Sequence, residues 1–197
     1  TDRSVHMSSD TLNAPEMSAE KPPSPRDRIL QVAGRLFYRE GYRAVGIDRV
    51  IAEADVAKAT FYKHFPSKDD LIVAWIARAE DGSQGALPPE DGPEPLTAYA
   101  LAMLAIARTG GCMGCTFQGT AAEFHNPAHP AHAAGLAVKQ RVLDTLERRA
   151  RAQGLQDPRA KAEAVFLFLE GIWASVRMFG AAAPLDHAEA ALEKLIA

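Results

Sequence analysis

Long apolar runs, cysteine-rich stretches and strand patterns are all scarce in this chain. Its 197 residues include two cysteines, Cys112 and Cys115, which are too few for a disulfide framework. No uninterrupted run of about 18 apolar residues occurs, so we expect no membrane-spanning helix. The beginning of the chain lacks the apolar stretch of a secretory leader, so we expect a cytoplasmic protein.

The charge of the chain is small in total but unevenly distributed. The formal net charge is -3, yet residues 26–68 carry nine Lys and Arg against five Asp and Glu, and the rest carries -7. A basic module on an acidic body is typical of nucleic-acid binding. No Ser-His-Asp set, glycine-rich phosphate loop or carboxylate pair stands in a catalytic context, so we predict neither an enzyme nor a cofactor. A helical protein-interaction module is the alternative that requires no DNA.

The first part of the chain contains a run of helix start and stop signals. Residues 1–6 resemble an expression-tag remnant, and residues 8–25 are rich in Ser, Pro, Ala and Glu, which predicts disorder up to residue 25. Ser24 is then an N-cap and Pro25 a first helical residue, and Gly41 is a C-cap. Short helices are predicted at about 47–54 and 57–63, followed by a longer helix that begins after Ser67 and ends near Glu80.

The second part is also helical. Four prolines and three glycines in residues 81–95 predict a loop. Beyond the loop, apolar periodicity and cap signals predict helices at about 96–109, 117–124, 130–153, 158–180 and 185–196. The predicted fold class is therefore all-α, in two parts.

Two short helices joined by a tight turn are typical of a helix-turn-helix, whose second helix enters the major groove of DNA. Val56, Phe61 and Phe65 are expected to face the domain interior. Lys68 lies at the start of the next helix, where backbone N–H groups favour a phosphate. The side chains expected to face DNA are Lys58, Thr60, Tyr62, Lys63, His64 and Lys68.

The run from Gly41 to Leu71, with its Tyr62-x-His64-Phe65-x-x-Lys68 signature and the upstream pair Leu36-Phe37, resembles the DNA-binding domain of the TetR family. The resemblance covers about residues 26–76. It implies a three-helix DNA-binding domain over 26–70 and a helical ligand-binding and dimerisation domain over 71–197. The expected function is transcriptional regulation, as a homodimeric repressor on palindromic double-stranded operator DNA that a small apolar effector releases.

The resemblance also implies roles for single residues. Lys58 and Thr60 match positions that read bases or nearby phosphates, and Tyr62, His64 and Lys68 match positions that grip the DNA backbone. Three residues depart from the family pattern. Asp55 replaces a turn glycine, and Asp tolerates the left-handed conformation. Ala57 replaces a capping serine, and Gly46 replaces a Ser or Thr phosphate ligand, which puts that contact in doubt.

The expected ligand pocket would be built from apolar and aromatic residues of the body, although such residues at helical spacing also fit a plain core. The candidates are Trp75, Tyr99, Met103, Phe117, Gln118, Phe124, Phe166 and Trp173.

The pair Cys112-x-x-Cys115, followed by three histidines, suggests a thiol- or metal-responsive regulator as an alternative. The histidines are His125, His129 and His132. They lie among prolines at a helix entry, and a rigid metal geometry is not expected there, so no metal site is predicted.

The last two predicted helices are rich in apolar residues. The family resemblance implies that they form a two-fold dimer interface, and an internal core face is the competing interpretation. The residues concerned are Val165, Phe168, Leu169, Ile172, Val176, Leu192, Leu195 and Ile196.

Overall fold

The computed structural model describes residues 22–197, and over that range the protein is all-helical. This confirms the predicted fold class; the predictions for residues 1–21 lie outside the described residues. The helices are α1 Pro25–Glu40, α2 Ile47–Glu53, α3 Lys58–His64, α4 Lys68–Gln84, α5 Leu96–Ala107, α6 Thr116–Glu123, α7 Pro130–Ala152, α8 Pro158–Phe179 and α9 Ala188–Ile196.

Helix α1 begins and ends at the residues that the sequence indicates. The Ser24 hydroxyl accepts the N–H of Asp27 at 3.1 Å, Pro25 is the first helical residue, and Gly41 follows the last turn with φ +91°. The predicted disorder therefore extends too far at its end, because the cap and the proline already fix residues 24 and 25 in the helix start.

Helix α4 is longer than predicted. It begins after the Ser67 cap, as expected, but it continues to Gln84 instead of ending near Glu80. Between Glu80 and Gln84 the only helix-breaking residue is Gly82, and the first proline is Pro88. The helical hydrogen bonds therefore continue up to the bond from the N–H of Gly85 to the carbonyl of Asp81.

Two apolar cores divide the described chain. The N-terminal core is formed by α1 to α4 and includes Ile29, Phe37, Phe61 and Leu71, all buried. The second core is formed mainly by α5, α7, α8 and α9. Ala131 and Val138 of α7 belong to the N-terminal core, and α7 packs there chiefly against α4.

The proline-rich loop between α4 and α5 is anchored from α7. Arg149 is only 3% exposed; its guanidinium donates to the carbonyls of Pro89 and Glu94 and lies 5.0 Å from the centroid of the Tyr99 ring. The side chain of Gln153 accepts the N–H of Leu96 at 2.7 Å, which satisfies a free donor at the start of α5.

By length and composition alone, α8 and the turn after it could span a bilayer, contrary to the expectation from the sequence. The segment Pro158–Ala182 has a mean hydropathy of 1.4, and 28% of its most apolar window is buried in the chain. A core helix of a soluble protein meets the same criterion. Glu170 pairs with Lys139 of α7, and Val165 and Leu169 belong to the second core, so α8 is integrated into the helical body.

Candidate nucleic-acid interface and ligand cavity

Helices α2 and α3 are joined by a turn in which Asp55 occupies the left-handed region, with φ +50°. The N–H of Ala54 bonds to Val50 at 2.9 Å and the N–H of Val56 reaches Ile51 at 3.4 Å. The prediction that Asp replaces the usual glycine without loss of the turn is confirmed, because Asp adopts this conformation more readily than most residues.

One face of α3 is fixed by packing. Phe61 is fully buried and Phe65 is 2% exposed, with their ring centroids 6.0 Å apart. Both pack in the N-terminal core as predicted, whereas Val56 is only half-buried. An α3 anchored by two aromatic rings holds its opposite face in a fixed orientation towards solvent.

The outward face of α3 carries most of the predicted DNA contacts. Lys58, Tyr62 and Lys63 are exposed, and Thr60 and His64 are half-buried. The Lys58 ammonium lies 3.4 Å from the Asp48 carboxylate, with both side chains mainly in solvent. Such an exposed pair is weak, so a phosphate or base can replace the carboxylate.

Lys68 lies apart from that face, at the turn between α1 and α2. Its ammonium donates to the Arg43 carbonyl at 3.1 Å, and partial burial lowers its pKa from the usual value for lysine. The structure therefore holds this side chain against the domain surface.

The two departures at helix N-termini leave their caps incomplete. Gly46 and Ala57 precede α2 and α3 with extended backbones and make no side-chain cap. The backbone N–H groups of both first turns therefore depend on water or a bound partner.

Helix α6 connects the body to the DNA-binding domain through contacts that local sequence patterns did not predict. The Glu123 carboxylate accepts the N–H groups of Tyr42 at 2.9 Å and Arg43 at 2.8 Å. The buried Tyr42 hydroxyl contacts the Thr116 hydroxyl at 2.8 Å, and burial raises the pKa of Tyr42 to about 12. Both ends of α6 thus hold the turn after α1.

A cavity of about 510 Å³ lies between α1, α4, α7 and the segment that leads into α6. Four predicted ligand-binding residues border it, namely Trp75, Met103, Phe117 and Trp173. Gly34 makes room for the Trp75 ring, since a Cβ at residue 34 would lie 2.3 Å from Trp75 Cζ3. The Trp75 indole nitrogen is buried, and it makes no hydrogen bond of proper geometry among the described residues. It lies near the Tyr42 hydroxyl, where it partly offsets the rise in the pKa of Tyr42.

The structure places the other four candidates elsewhere. Tyr99 is buried under Arg149, and Gln118 donates to the Glu170 carboxylate at 2.9 Å. Phe124 stacks on His129 with ring centroids 4.2 Å apart, and Phe166 packs against the second core. The pocket prediction did not include Tyr38, Cys112, Lys139 and Arg141, which also border the cavity, because they come from elements that only the tertiary fold brings together.

Most charged groups at the cavity are neutralised in pairs, although the Glu90 carboxylate, which accepts from the Gln84 amide, has no ion pair among the described residues. Arg141 binds Glu80 through two bonds of 2.6 Å, and Lys139 pairs with Glu170. The remaining surface is mainly apolar, which suits a ligand body without charge.

The cysteines and histidines do not form one cluster. Cys112 is half-buried and Cys115 is buried, and both are free thiols. His129 Nδ1 accepts the N–H of Ala131, and His132 Nδ1 lies 2.7 Å from the Phe124 carbonyl, so these rings serve the entry to α7. Within residues 22–197, no group of three or more His, Cys, Asp or Glu is arranged to hold a metal ion.

The apolar residues predicted for a dimer face are mostly interior residues of a single chain. Phe168 and Leu195 are partly buried, and the other six are buried in the second core, as the competing interpretation required. They were misassigned because apolar periodicity alone does not distinguish a core face from an interface. A different strip of α8 is exposed instead: Leu167, Gly171, Ala174 and Met178.

A three-helix head with an exposed reading helix, attached to a helical body with an apolar cavity, defines a helix-turn-helix DNA-binding protein. The family described as bacterial regulatory proteins of the tetR family matches residues 29–75. The structure superimposes on a TetR-family transcriptional regulator from Streptomyces coelicolor with a TM-score of 0.80 and 34% identity, covering 87% of this chain and 94% of that one. The chain belongs to the TetR family of transcriptional regulators, whose members are not enzymes.

Curated relatives match over a shorter range. The transcriptional repressor KstR of Rhodococcus jostii is 36% identical over 108 residues, which are 54% of this chain and 50% of KstR. The transcriptional activator FasR of Mycolicibacterium smegmatis is 35% identical over 86 residues, covering 37% of this chain and 39% of FasR. The chain thus spans half or less of the length of these two relatives.

Proposed function

We propose that the protein is a repressor that binds a near-palindromic operator as a homodimer in the cytoplasm, and that a small molecule in the cavity releases it from DNA. The observation that carries the proposal is the position of the segment from Cys112 to Glu123. Its first residues border the cavity, and its last residue holds the turn between α1 and α2. A ligand that displaces this segment moves the reading head.

The DNA contacts proposed for α3 follow from chemistry and position. Lys58 and Thr60 at the start of α3 are placed to approach base edges or adjacent phosphates, and Tyr62, Lys63 and His64 are placed to contact the DNA backbone. Lys68 is the proposed phosphate contact beside the α1–α2 turn, which requires that its bond to the Arg43 carbonyl be shared or exchanged.

The proposed dimer uses the exposed strip of α8. Leu167 is 68% exposed and Met178 is 77% exposed, and Gly171 and Ala174 between them let two copies of the helix approach closely. A groove beside the strip is bordered by Pro184, His187 and Ala191. A two-fold pair of such faces would present two reading heads to two operator half-sites, about 34–36 Å apart.

Selection of bound sequences from random DNA tests the proposal. Wild-type protein is expected to enrich a palindrome, and Lys58→Ala/Tyr62→Phe is expected to bind it poorly. Arg151→Ala removes a charge from the distant, exposed end of α7 and should bind normally. Enrichment of a single unrepeated half-site would contradict the proposal that the protein binds as a dimer. A lack of enrichment would contradict the proposal that it is a sequence-specific regulator.

Regulation through the thiols of Cys112 and Cys115 is the second candidate. Both residues border the cavity, and the Tyr38 hydroxyl lies 3.6 Å from Cys112 Sγ. If thiol chemistry controls DNA binding, an oxidant will weaken the wild-type complex and leave the Cys112→Ser/Cys115→Ser complex unchanged. An equal response of both proteins would exclude this candidate.

A further inference from the structure

A second cavity, a cleft of about 840 Å³, lies directly beside the first one. It is bordered by the end of α1, the turn after α5 and the segment between α8 and α9. Arg35, Tyr38 and Cys112 border both cavities, so the two spaces are separated by the thickness of a single layer of residues.

The cleft differs from the first cavity in its charge. Arg35, Arg39 and Arg108 border it, against one acidic residue, Asp186. Arg35 pairs with Glu53 at 2.6 Å and Arg108 reaches Glu189 at 3.6 Å. Both pairs are partly exposed and so exchangeable, and Arg39 makes no ion pair within residues 22–197.

Backbone donors add to this positive character. The turn after α5 contains Gly110 and Gly111, and Gly111 has φ +82°. Neither N–H donates a hydrogen bond to another described residue. Guanidinium groups and unpaired backbone N–H groups in one concave site favour a carboxylate or a phosphate.

We infer that the effector is an amphipathic anion whose apolar body occupies the first cavity and whose carboxylate or phosphate head lies in the cleft against Arg39, Arg108 and the Gly110–Gly111 turn. The inference rests on the proposed ligand-responsive function and specifies its ligand class. Such a ligand touches α1 directly through Arg39, so the DNA-binding domain and the body would share one binding site.

Tyr38 lies in the layer of residues between the two spaces. Its hydroxyl accepts the N–H of Met113 at 2.7 Å and lies 3.1 Å from the Gly114 carbonyl. Burial raises the pKa of Tyr38 to about 12. A ligand that crosses here must disturb these bonds, which hold the segment leading into α6 against α1.

A pair of fluorescent probes that differ only in charge tests the inference. The probes are 11-(dansylamino)undecanoic acid and its methyl ester. The chain has two tryptophans, Trp75 and Trp173, and both border the first cavity. Energy transfer from tryptophan to the dansyl group therefore reports binding close to that cavity. We expect the acid to bind at least about tenfold more tightly than the ester, as a charge-assisted hydrogen bond allows.

Arginine variants locate the head group. Arg39→Gln and Arg39→Gln/Arg108→Gln should weaken binding of the acid and leave the affinity for the ester within about twofold of the wild-type value. Raised salt should have the same effect. Arg151→Gln is the matched control and should change neither. Displacement of the acid by dodecanoate or by dodecyl phosphate then distinguishes a carboxylate from a phosphate head. Equal affinity of acid and ester, a preference that survives the double substitution, or no saturable binding would overturn the inference.

DNA release separates this inference from the proposed function. If the ester binds as well as the acid and both dissociate the selected palindrome, the protein is a ligand-released regulator without an anion site. If the acid binds with the predicted preference but the protein binds no DNA, the result supports the anion site and contradicts the proposed function.

Discussion

Single side chains at the junction between α1 and α6 provide the link between body and reading head. Glu123 satisfies two backbone N–H groups at the turn after α1, and Tyr42 donates to or accepts from Thr116 at the other end of α6. A carboxylate that accepts two N–H groups makes a stronger contact than a neutral acceptor.

Replacing Glu123 by Gln should weaken the contact between α6 and the turn after α1, while a side chain of the same size still fills the site. The amide keeps one acceptor but loses the charge, so we expect a ligand that enters the cavity to release DNA less completely. Fluorescence anisotropy of a labelled operator, titrated with 11-(dansylamino)undecanoic acid, measures this. Full release by the Glu123→Gln protein at wild-type affinity would show that α6 does not transmit the signal.

Arg149 is expected to be the residue in the body whose loss is most costly. Arg149→Met removes the donor to the carbonyls of Pro89 and Glu94 and the cation 3.7 Å from the buried Oε2 of Glu94, so we expect a loss of about 3 kcal/mol in the free energy of unfolding. Urea denaturation measures it. The exposed neighbour provides the control, since Arg151→Met should change stability by less than about 0.5 kcal/mol.

Caps, turns and buried aromatics could be predicted from sequence because each is a local signal. Ser24, Gly41, Asp55 and Phe61 lie where the sequence placed them. The contacts of Glu123 could not be predicted, since its partners lie 81 and 80 residues away and an isolated glutamate at a helix end has no local signature.

At the scale of the elements, α2 and α3 are the least well capped helices of the N-terminal domain. Ala57→Ser should supply a side-chain acceptor for the first turn of α3 and raise the free energy of unfolding by about 1 kcal/mol, whereas Gly46→Ser should add only a few tenths, since glycine is itself a tolerable cap. Thermal denaturation compares the two. A Ser67→Ala control should lose about 1 kcal/mol, because that cap is present.

The exposed strip of α8 is expected to decide the oligomeric state. Ala174→Glu and Met178→Glu should produce monomers at micromolar concentration, because each places a charge in the proposed interface. Sedimentation velocity measures the mass. Leu136→Glu alters another exposed apolar residue, which is 56% exposed on α7, and should remain dimeric. Dimers of all three proteins would exclude the strip as the interface.

Element types were predictable and their partners were not. The nine α-helices within residues 22–197 follow from periodicity and caps, with ends displaced by a few residues, most clearly at Gln84. Periodicity indicates that one face of α8 is apolar. It does not show that Leu169 packs inward while Leu167 faces solvent, since that depends on how α5, α7 and α9 surround the helix.

For the whole molecule, the two cores meet along α7, which contributes Val138 to the N-terminal core and Leu146 to the second one. Val138 also borders the first cavity. The sequence predicted Trp75, Met103, Phe117 and Trp173 as pocket residues, and the fold brings these four together around the cavity. It could not predict the contribution of α1, because Tyr38 and Arg39 reach the ligand space only through the packing of the head on the body. In the proposed dimer, a ligand at this junction would alter the spacing of the two DNA-binding domains.

The most direct test of regulated DNA binding is the affinity for the selected palindrome, measured by anisotropy at several salt concentrations. We predict that the affinity of wild-type protein falls steeply with salt, as it does when lysines neutralise phosphates, and that Lys58→Ala/Tyr62→Phe binds weakly with a shallower dependence. Negligible affinity of the wild-type protein even at low salt, or equal affinity and slope in both proteins, would contradict the assignment of α3 as the reading helix.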